Sequence, residues 1–348
     1  MSLSVHIKKK TGNFQLTIDF EQEEGITGIL GASGCGKSMT LKCIAGIMKP
    51  DEGRIVLNGR VLFDSEKRIN LKPQERNVGY LFQNYALFPN MTVEQNILCG
   101  LTRVKNKQLR YEKMEEILKV MELTAYGKQF PHQLSGGQQQ RTALARMLVS
   151  EPELLLLDEP FSALDSYLRE QLQTQVHLIL ERFGKDVLMV SHSRDEVYYL
   201  CRQTAIMHQG RMINHGKTKE VFADPKSKTA AILTGCKNIA DAYKTGPYQV
   251  YVPDWGIHLH TRLPVQENLC AVGLRAHYFN TRTKENVYPV VYANEREDPF
   301  EVRLLFRYTN QKAGTRDIWW RMPKDRKPSQ MPESFGIAPD NVLLLYPE

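Results

Sequence analysis

Eight consecutive residues have the types and spacing of a phosphate-binding loop. The glycines allow backbone N–H groups to approach phosphate oxygens closely, since glycine has no Cβ. Lys37 would bring a positive charge to the β- and γ-phosphates, and Ser38 would supply one oxygen ligand to Mg²⁺. An apolar strand pattern precedes the loop and a helix pattern follows it, which disfavours a plain glycine-rich turn. The loop reads Gly31-Ala32-Ser33-Gly34-Cys35-Gly36-Lys37-Ser38.

Two adjacent carboxylates, Asp158 and Glu159, follow the apolar run 154–157. The run is typical of a buried parallel strand, and open α/β sheets bind ligands at the carboxyl ends of such strands. Asp158 would hold Mg²⁺, directly or through water, and Glu159 would polarise an attacking water as general base. An Asp-Glu pair after four leucines is by itself more often a solvated strand end. Its occurrence together with the phosphate loop favours the catalytic interpretation.

A third segment, Leu134-Ser135-Gly136-Gly137-Gln138, lies between the phosphate loop and the acidic pair. It places small residues and a hydroxyl at the start of a helix predicted over residues 139–149. The N-terminus of a helix favours an anion, because its N–H groups and dipole point there. A simple capped helix is the alternative interpretation.

Together these segments resemble the ATP-binding subunit of ABC transporters, over roughly residues 1–235. The resemblance implies ATP and Mg²⁺ as the ligands. It also implies that Ser135, Gly136, Gly137 and Gln138 bind the nucleotide held by a second copy of the chain. Two chains arranged head to tail would then enclose two ATP molecules.

The resemblance assigns further residues by their match to family motifs. Gln83 matches the glutamine that senses Mg²⁺ and the attacking water, and His192 matches the histidine that contacts the γ-phosphate. A lone histidine at a strand end would by itself usually be structural. The run 162–165 matches a loop that lies across the dimer interface. Phe14 is the nearest candidate for the aromatic side chain that stacks on adenine.

Residues 85–89, Tyr-Ala-Leu-Phe-Pro, put aromatic and aliphatic side chains in a predicted loop after Gln83. An exposed apolar cluster there would suit the docking of a helix from a membrane permease. Alternatively, these side chains are buried beneath a helical insert. A solute-binding protein would be an indirect partner of such an importer.

The positions of these motifs depend on elements that the sequence also predicts. Strand and helix patterns alternate after residue 150, which implies a parallel sheet with right-handed crossovers. The expected fold is α/β, a P-loop NTPase cassette with a RecA-like parallel sheet, an antiparallel β lobe and a helical insert over about residues 84–150. The predicted strands cover 14–20, 26–30, 54–57, 154–157, 187–190 and 204–207, and the predicted helices cover 39–48, 105–123, 166–183 and 194–200.

The composition changes after about residue 235, where all three Trp and eight of the fifteen Tyr lie. Short apolar runs such as 249–252 and 302–306 alternate there with turn residues. We therefore expect an ATP-binding domain over 1–235. A small C-terminal all-β domain over 236–348, of the regulatory TOBE or OB-like type, would follow it.

The bulk composition excludes several classes of protein. The chain is 42% apolar and 24% charged, as in globular proteins, and lacks a run of about 18 apolar residues that could span a bilayer. Its six cysteines show no C-x-x-C spacing, which favours a reducing cytoplasm. The net charge of +7 is scattered, so no nucleic-acid partner is expected. The predicted location is cytoplasmic, peripheral on the inner face of the cell membrane.

Three functional classes share these motifs. Chromosome-maintenance and repair ATPases split them with long coiled coils, for which positions 37 and 134 are too close together. Translation-associated ATPases usually carry two cassettes, and this chain has one. An importer subunit with an ATPase activity is the expectation. Residues 53–80 look like the molybdate importer subunit. Residues 271–277 resemble a segment shared by several oxyanion and other importers, so sulfate, tungstate or another solute are alternatives.

Overall fold

The computed structural model describes residues 3–162 and 166–348, with the backbone alone for residues 166–168. The chain forms two compact units, residues 1–218 and 219–348. In the described residues, no helix has the length and apolar character needed to cross a bilayer.

Strands and helices alternate along the first unit. Its strands are β1 (Leu3–Thr11), β2 (Phe14–Gln22), β3 (Ile26–Gly31), β4 (Glu52–Leu57), β5 (Arg60–Asp64), β6 (Ile69–Asn70), β7 (Val78–Leu81), β8 (Leu154–Asp158), β9 (Asp186–Ser191), β10 (Gln203–His208) and β11 (Arg211–Lys217). Its helices are α1 (Lys37–Ala45), α2 (Val93–Leu98), α3 (Lys107–Val120), α4 (Gly136–Leu148), α5 (Ser166–Phe183) and α6 (Arg194–Leu200), and α7 (Thr218–Ala223) begins at the boundary.

These strands form an 11-stranded sheet in the order β6-β5-β4-β1-β2-β11-β10-β3-β9-β8-β7. The five strands from β10 to β7 pair in parallel, and β6 to β2 pair antiparallel. The predicted parallel sheet with an antiparallel lobe is therefore confirmed. Because parallel strands end at one edge, the chain leaves β3, β7, β8 and β9 at the same side of the sheet.

The central strands are buried on both faces, as parallel strands covered by helices are. All four leucines of β8 are fully buried, and so is Val187–Val190 of β9. This apolar content explains why the sequence pattern located these strands to within one or two residues. Asp158 and Glu159 lie where the apolar run of β8 stops.

Helix starts differ from the prediction at both glycine-rich motifs. Helix α1 begins at Lys37, with Gly36 as its N-cap residue at φ 109°, a conformation that favours glycine. Helix α4 begins at Gly136 rather than at residue 139, because Ser135 and Gln138 form a capping box. Both glycines of that motif thus lie in the first helical turn and not in a preceding loop.

Helices α2, α3 and α4 occupy the segment predicted as a helical insert. Helix α3 starts after Asn106, whose side chain accepts a hydrogen bond from the Leu109 N–H at 3.2 Å. Helix α2 starts after Thr92 in the same way, with a capping box to Gln95. Polar caps therefore set the beginning of each helix in this segment.

The second unit contains small antiparallel sheets, as predicted for the C-terminal part of the chain. Its sheets have the orders β12-β16-β21, β13-β14-β15 and β19-β18-β17-β20. Its elements are α8 (Lys228–Leu233), β12 (Asn238–Asp241), β13 (Tyr243–Gly246), β14 (Gln249–Val252), β15 (Ile257–His260), β16 (Ala271–Leu274), β17 (Tyr288–Glu297), β18 (Glu301–Tyr308), β19 (Ile318–Pro323), β20 (Ser334–Phe335) and β21 (Val342–Leu345).

Helix α8 belongs to this compact unit although it precedes residue 235. Ala231 of α8 packs in a buried cluster with Ala271 of β16 and Leu345 of β21. The buried guanidinium of Arg275 donates to the carbonyl oxygen of Thr234 at 2.8 Å. These contacts hold α8 against the β-sheets.

Candidate functional site

The phosphate loop connects β3 to α1 at the carboxyl edge of the sheet. Ala32, Ser33 and Gly34 are exposed, whereas Cys35 is buried, and burial raises the pKa of its thiol. A Cβ on Gly36 would lie 2.8 Å from side-chain atoms of Leu16 and Met207. At Gly34, by contrast, no described atom comes within 4 Å of the Cβ position. The tip of the loop therefore leaves its backbone open to an anion.

Lys37 places a buried positive charge beneath this loop. Its side chain is 4% exposed, and Nζ donates to the carbonyl oxygens of Gly31 at 2.9 Å and Ala32 at 3.0 Å. Nζ also lies 3.8 Å from Oε1 of Glu159. The lysine thus faces the catalytic carboxylate predicted from the sequence.

The Asp158 carboxylate is engaged on both of its oxygens. The Ser38 hydroxyl donates to Oδ1 at 2.7 Å, and the Tyr80 hydroxyl donates to Oδ2 at 2.8 Å. Burial, followed by the charge of Asp158, raises the pKa of Tyr80, so its hydroxyl stays protonated. The sequence predicted Ser38 and Asp158 but missed Tyr80, whose only signal was its place on the strand before Gln83.

Glu159 is the point at which the predicted catalytic side chains meet. His192 Nδ1 lies 3.3 Å from its Oε2, and Gln83 Nε2 lies 3.4 Å from the same oxygen. Its backbone has φ 46°, in the left-handed region that residues other than glycine seldom adopt. Such strain is common at functional sites, where the surrounding structure enforces it. Here the Glu159 N–H donates to the Val190 carbonyl of the neighbouring strand at 3.1 Å.

A buried carboxylate, missed by the sequence analysis, fixes the turn that carries His192. The Ser191 hydroxyl donates to Oε2 of Glu196 at 2.6 Å and accepts from the Ser193 N–H at 2.9 Å. Burial raises the pKa of Glu196. These bonds hold the residues on both sides of His192.

The predicted signature residues cap α4. Ser135 Oγ accepts from the Gln138 N–H at 3.3 Å, and Gln138 Oε1 accepts from the Ser135 N–H at 2.8 Å. Within the described part of the chain, no hydrogen bond or ion pair joins Ser135–Gln138 to the phosphate loop. Further along α4, the buried Gln140 donates to the carbonyl oxygen of Pro160 at 3.2 Å, next to Glu159.

The segment 85–89 is exposed only in part, which corrects the prediction. Tyr85 is buried, and its hydroxyl lies 3.5 Å from the Pro160 carbonyl oxygen, whereas Phe88 is 47% exposed. Tyr85 and Ala86 both have positive φ, and Arg146 of α4 donates to both of their carbonyl oxygens. Tyr85 therefore belongs to the core, because Arg146 binds its carbonyl oxygen and its ring is buried.

Two further predicted elements lie near the loop. Phe14 is partly buried, and its Cζ would be 3.2 Å from a Cβ on Gly36. In the run 162–165, the Ser162 hydroxyl donates to the Glu159 carbonyl oxygen at 3.0 Å. Residues 163–165 lie outside the described residues.

Residues 14–162 match the ABC transporter family. The chain is 39% identical to a probable sulfate/thiosulfate import ATP-binding protein CysA of Chlorella vulgaris, over 67% of this chain and 98% of that protein. It is 42% identical to the putrescine transport ATP-binding protein PotG of Escherichia coli, over 62% of this chain and 55% of that protein. It is 37% identical to the molybdenum import ATP-binding protein ModC of Rhodospirillum rubrum, over 64% of this chain and 60% of that protein. The match thus spans less than two thirds of the latter two proteins.

Solved structures of similar fold include two ATP-binding cassettes. One is a dimeric post-hydrolysis state of the cassette MJ0796 bound to ADP and Pi, with 28% identity and a TM-score of 0.53 over 63% of this chain and 99% of that one. The other is cbiO1 of Clostridium perfringens, part of the ABC transporter complex cbiONQ. It has 28% identity and a TM-score of 0.57, over 64% of this chain and 91% of that chain.

Proposed function

The chain belongs to the ATP-binding subunits of ABC importers, and from this membership we propose how its residues hydrolyse ATP and what it energises. Subunits of this type bind ATP and are ATPases coupled to transport. The observation that carries the proposal is the convergence of Lys37, Gln83 and His192 on the Glu159 carboxylate.

Glu159 is the proposed general base, accepting a proton from the water that attacks the γ-phosphate. His192 and Gln83 hold its Oε2, so the carboxylate has one orientation toward the reacting atoms. Lys37, with the N–H groups of residues 31–38, binds the β- and γ-phosphates. A general base contributes about 10²–10⁴-fold to a rate, and this is the loss expected when the Glu159 carboxylate is removed.

Ser38 and Asp158 are the proposed Mg²⁺ ligands, with the amide oxygen of Gln83 as a third. The fit is good because hydroxyl and carboxylate oxygens are the hard ligands that Mg²⁺ takes, and Ser38 Oγ already lies 2.7 Å from Asp158 Oδ1. When bound, Mg²⁺ would neutralise charge on the phosphate oxygens.

A second copy of the chain is the proposed partner at the nucleotide. The N-terminus of α4, with the Ser135 hydroxyl and the glycines of its first turn, can receive an anion. Since Ser135–Gln138 lie apart from the phosphate loop of their own chain, the anion they receive would be the nucleotide of the partner. The solved MJ0796 cassette is described as a dimer, which supports this arrangement.

The proposed location is the cytoplasmic face of the membrane, where Leu87 and Phe88 would contact permease subunits. A solute-binding protein would act on the other side of the permease, and no nucleic-acid partner is proposed. Residues 1–235 would be the ATP-binding domain, and residues 236–348 a regulatory TOBE or OB-like domain.

Molybdate is the proposed cargo, from the likeness of residues 53–80 to the molybdate type. Relatives at similar identity are named as importers of sulfate/thiosulfate, putrescine, molybdenum and Fe³⁺, so the test must compare these solutes. Uptake by the reconstituted importer should be measured with labelled molybdate in competition with sulfate, tungstate, putrescine and a sugar. Absence of molybdate uptake, together with uptake of labelled putrescine or sugar that the oxyanions do not reduce, would reject the cargo and leave the ATPase proposal intact.

The ATPase proposal itself is tested on the purified chain. Phosphate release from Mg-ATP should be abolished by Lys37→Ala. It should persist in Lys42→Ala, which removes a lysine from the last turn of the same helix. Equal hydrolysis by both variants would reject the assignment of this loop.

A further inference from the structure

Glu196 is a buried acidic residue in the first turn of α6, and the proposed hydrolysis of ATP does not use it. We infer that Glu196 is a positioning residue for His192, acting through the Ser191 hydroxyl to set where the imidazole lies against Glu159. The inference rests on the proposed role of His192 in holding the Glu159 carboxylate.

The His192 side chain needs such support because packing restrains it little. The side chain is 55% exposed, and Nδ1 lies 3.3 Å from Oε2 of Glu159, which is long for a hydrogen bond. The position of the imidazole therefore depends on the backbone that carries it. That backbone runs from Ser191, the last residue of β9, to Ser193, the N-cap of α6.

The Ser191 hydroxyl links this turn to the Glu196 side chain. It donates to Oε2 of Glu196 at 2.6 Å and accepts from the Ser193 N–H at 2.9 Å. The Ser193 hydroxyl in turn accepts from the Glu196 N–H at 3.4 Å. These three hydrogen bonds join the end of β9 to the first turn of α6, and His192 lies between the residues that they connect.

Helix α6 is itself packed closely on the sheet, so Glu196 can serve as an anchor. A Cβ on Gly28 of β3 would lie 2.7 Å from Sγ of Cys201 and 2.9 Å from Cγ1 of Val197. Because a glycine is needed for this approach, α6 has a fixed position beside the strand that leads into the phosphate loop. Removing the carboxylate should therefore release the turn at His192 rather than the helix.

Glu196→Leu tests the inference because it keeps an apolar side chain of similar size and removes the acceptor. Hydrolysis of Mg-ATP by the full chain is followed under single-turnover conditions, so that slow variants can be measured. We expect the rate to fall by about tenfold, the effect of one hydrogen bond to a charged acceptor on the choice between two conformations.

A double-mutant cycle with His192→Ala separates positioning from general stabilisation. In the His192→Ala background, Glu196→Leu should lower the rate by less than about twofold, because the side chain that Glu196 positions is gone. An equal loss in both backgrounds would mean that Glu196 acts independently of His192, and the inference would be wrong. Ser191→Ala breaks the same link by a smaller change and should give the same cycle, including when Glu196→Leu folds poorly.

Glu196→Gln distinguishes the hydrogen bond from the charge. Its amide oxygen can still accept from the Ser191 hydroxyl, so the rate should stay within about threefold of the wild type. A loss as large as in Glu196→Leu would reject the role of the hydrogen bond. Thr204→Val is a matched control. It removes a buried hydroxyl of β10 that lies 2.8 Å from the Thr218 hydroxyl, and should keep the wild-type rate.

His192→Ala alone separates this inference from the proposal on which it rests. If that variant hydrolyses ATP at the wild-type rate, the proposed role of His192 fails, and the inference fails with it. If it is slowed and Glu196→Leu slows it further by the full factor, the role of His192 stands and the positioning role of Glu196 is rejected.

Discussion

Nδ1 of His192 lies 3.3 Å from Oε2 of Glu159, across the gap between two neighbouring parallel strands. Gln83, from the end of a third strand, approaches the same oxygen at 3.4 Å, and Lys37 faces Oε1 at 3.8 Å. The two oxygens of Glu159 thus have different neighbours, and these contacts orient the carboxylate before a substrate binds.

Glu159→Gln should keep ATP binding and slow hydrolysis by about 10²–10⁴-fold, because the amide cannot accept the proton of the attacking water. Since hydrolysis would reopen the ATP-bound dimer, the variant should elute as a dimer from a sizing column in Mg-ATP. Glu153→Gln is the control, since Glu153 precedes β8 and bonds to Asn58 and Asn77 instead. Wild-type turnover in Glu159→Gln would contradict the assignment.

Ser135 should act on the nucleotide of the partner chain. With cysteines introduced at Ser135 and Ser38 on separate chains, ATP should promote crosslinking between chains. Crosslinking within one chain should not increase, because the proposed ATP-bound dimer joins position 135 of one chain to position 38 of the other. Efficient crosslinking within a single chain in ATP would contradict the sandwich arrangement.

Replacing Leu87 and Phe88 with serine should abolish transport and binding to the permease while ATP hydrolysis by the isolated subunit stays nearly intact. Phe88 is 47% exposed, so few core contacts are lost, although Arg146 lies 5.4 Å above its ring. Leu178→Ser is the control, as Leu178 is 53% exposed on α5, outside the 85–89 segment. Loss of hydrolysis in the double variant would show that these side chains belong to the core.

Arg76→Met should destabilise the first unit by about 3–5 kcal/mol, since each buried acceptor left unpaired costs about 1–3 kcal/mol. Arg76 is fully buried, and its guanidinium donates to the carbonyl oxygens of Leu71, Cys43 and Ile44 and to Asn70 at 2.8–2.9 Å. Two of these carbonyls belong to the last turn of α1, where a positive charge is also favoured by the helix dipole.

Circular dichroism during urea unfolding should detect the loss, because most of the helices lie in the first unit. Tryptophan fluorescence is the internal comparison, because all three Trp lie in the second unit. We expect the urea midpoint of the fluorescence transition to decrease less than the urea midpoint of the dichroism transition. Arg103→Met, at an exposed arginine, should leave both unchanged. An unchanged dichroism transition in Arg76→Met would contradict the expected cost.

The sequence located the residues whose chemistry depends on near neighbours in the chain. The phosphate loop and the Asp158-Glu159 pair are contiguous, and the buried apolar run before each of them marks a strand. Strand alternation was sufficient to predict the parallel sheet, because parallel pairing requires crossovers. The start of α4 was placed three residues too late, at Gln139, whereas the capping box of Ser135 and Gln138 includes both glycines in the first turn.

The types and order of the groups proposed to bind phosphate, hold a metal and accept a proton were therefore taken from the sequence alone. Only the tertiary structure decided which of them touch, and which other residues support them. Tyr80 and Asp158 are 78 residues apart, and Arg76 and Cys43 are 33 apart, so no local pattern links either pair. The Tyr85 hydroxyl likewise lies close to the carbonyl oxygen of Pro160, 75 residues along the chain. Local patterns report backbone propensity and apolar periodicity, but a hydrogen bond between neighbouring strands exists only once the sheet has set their order and register.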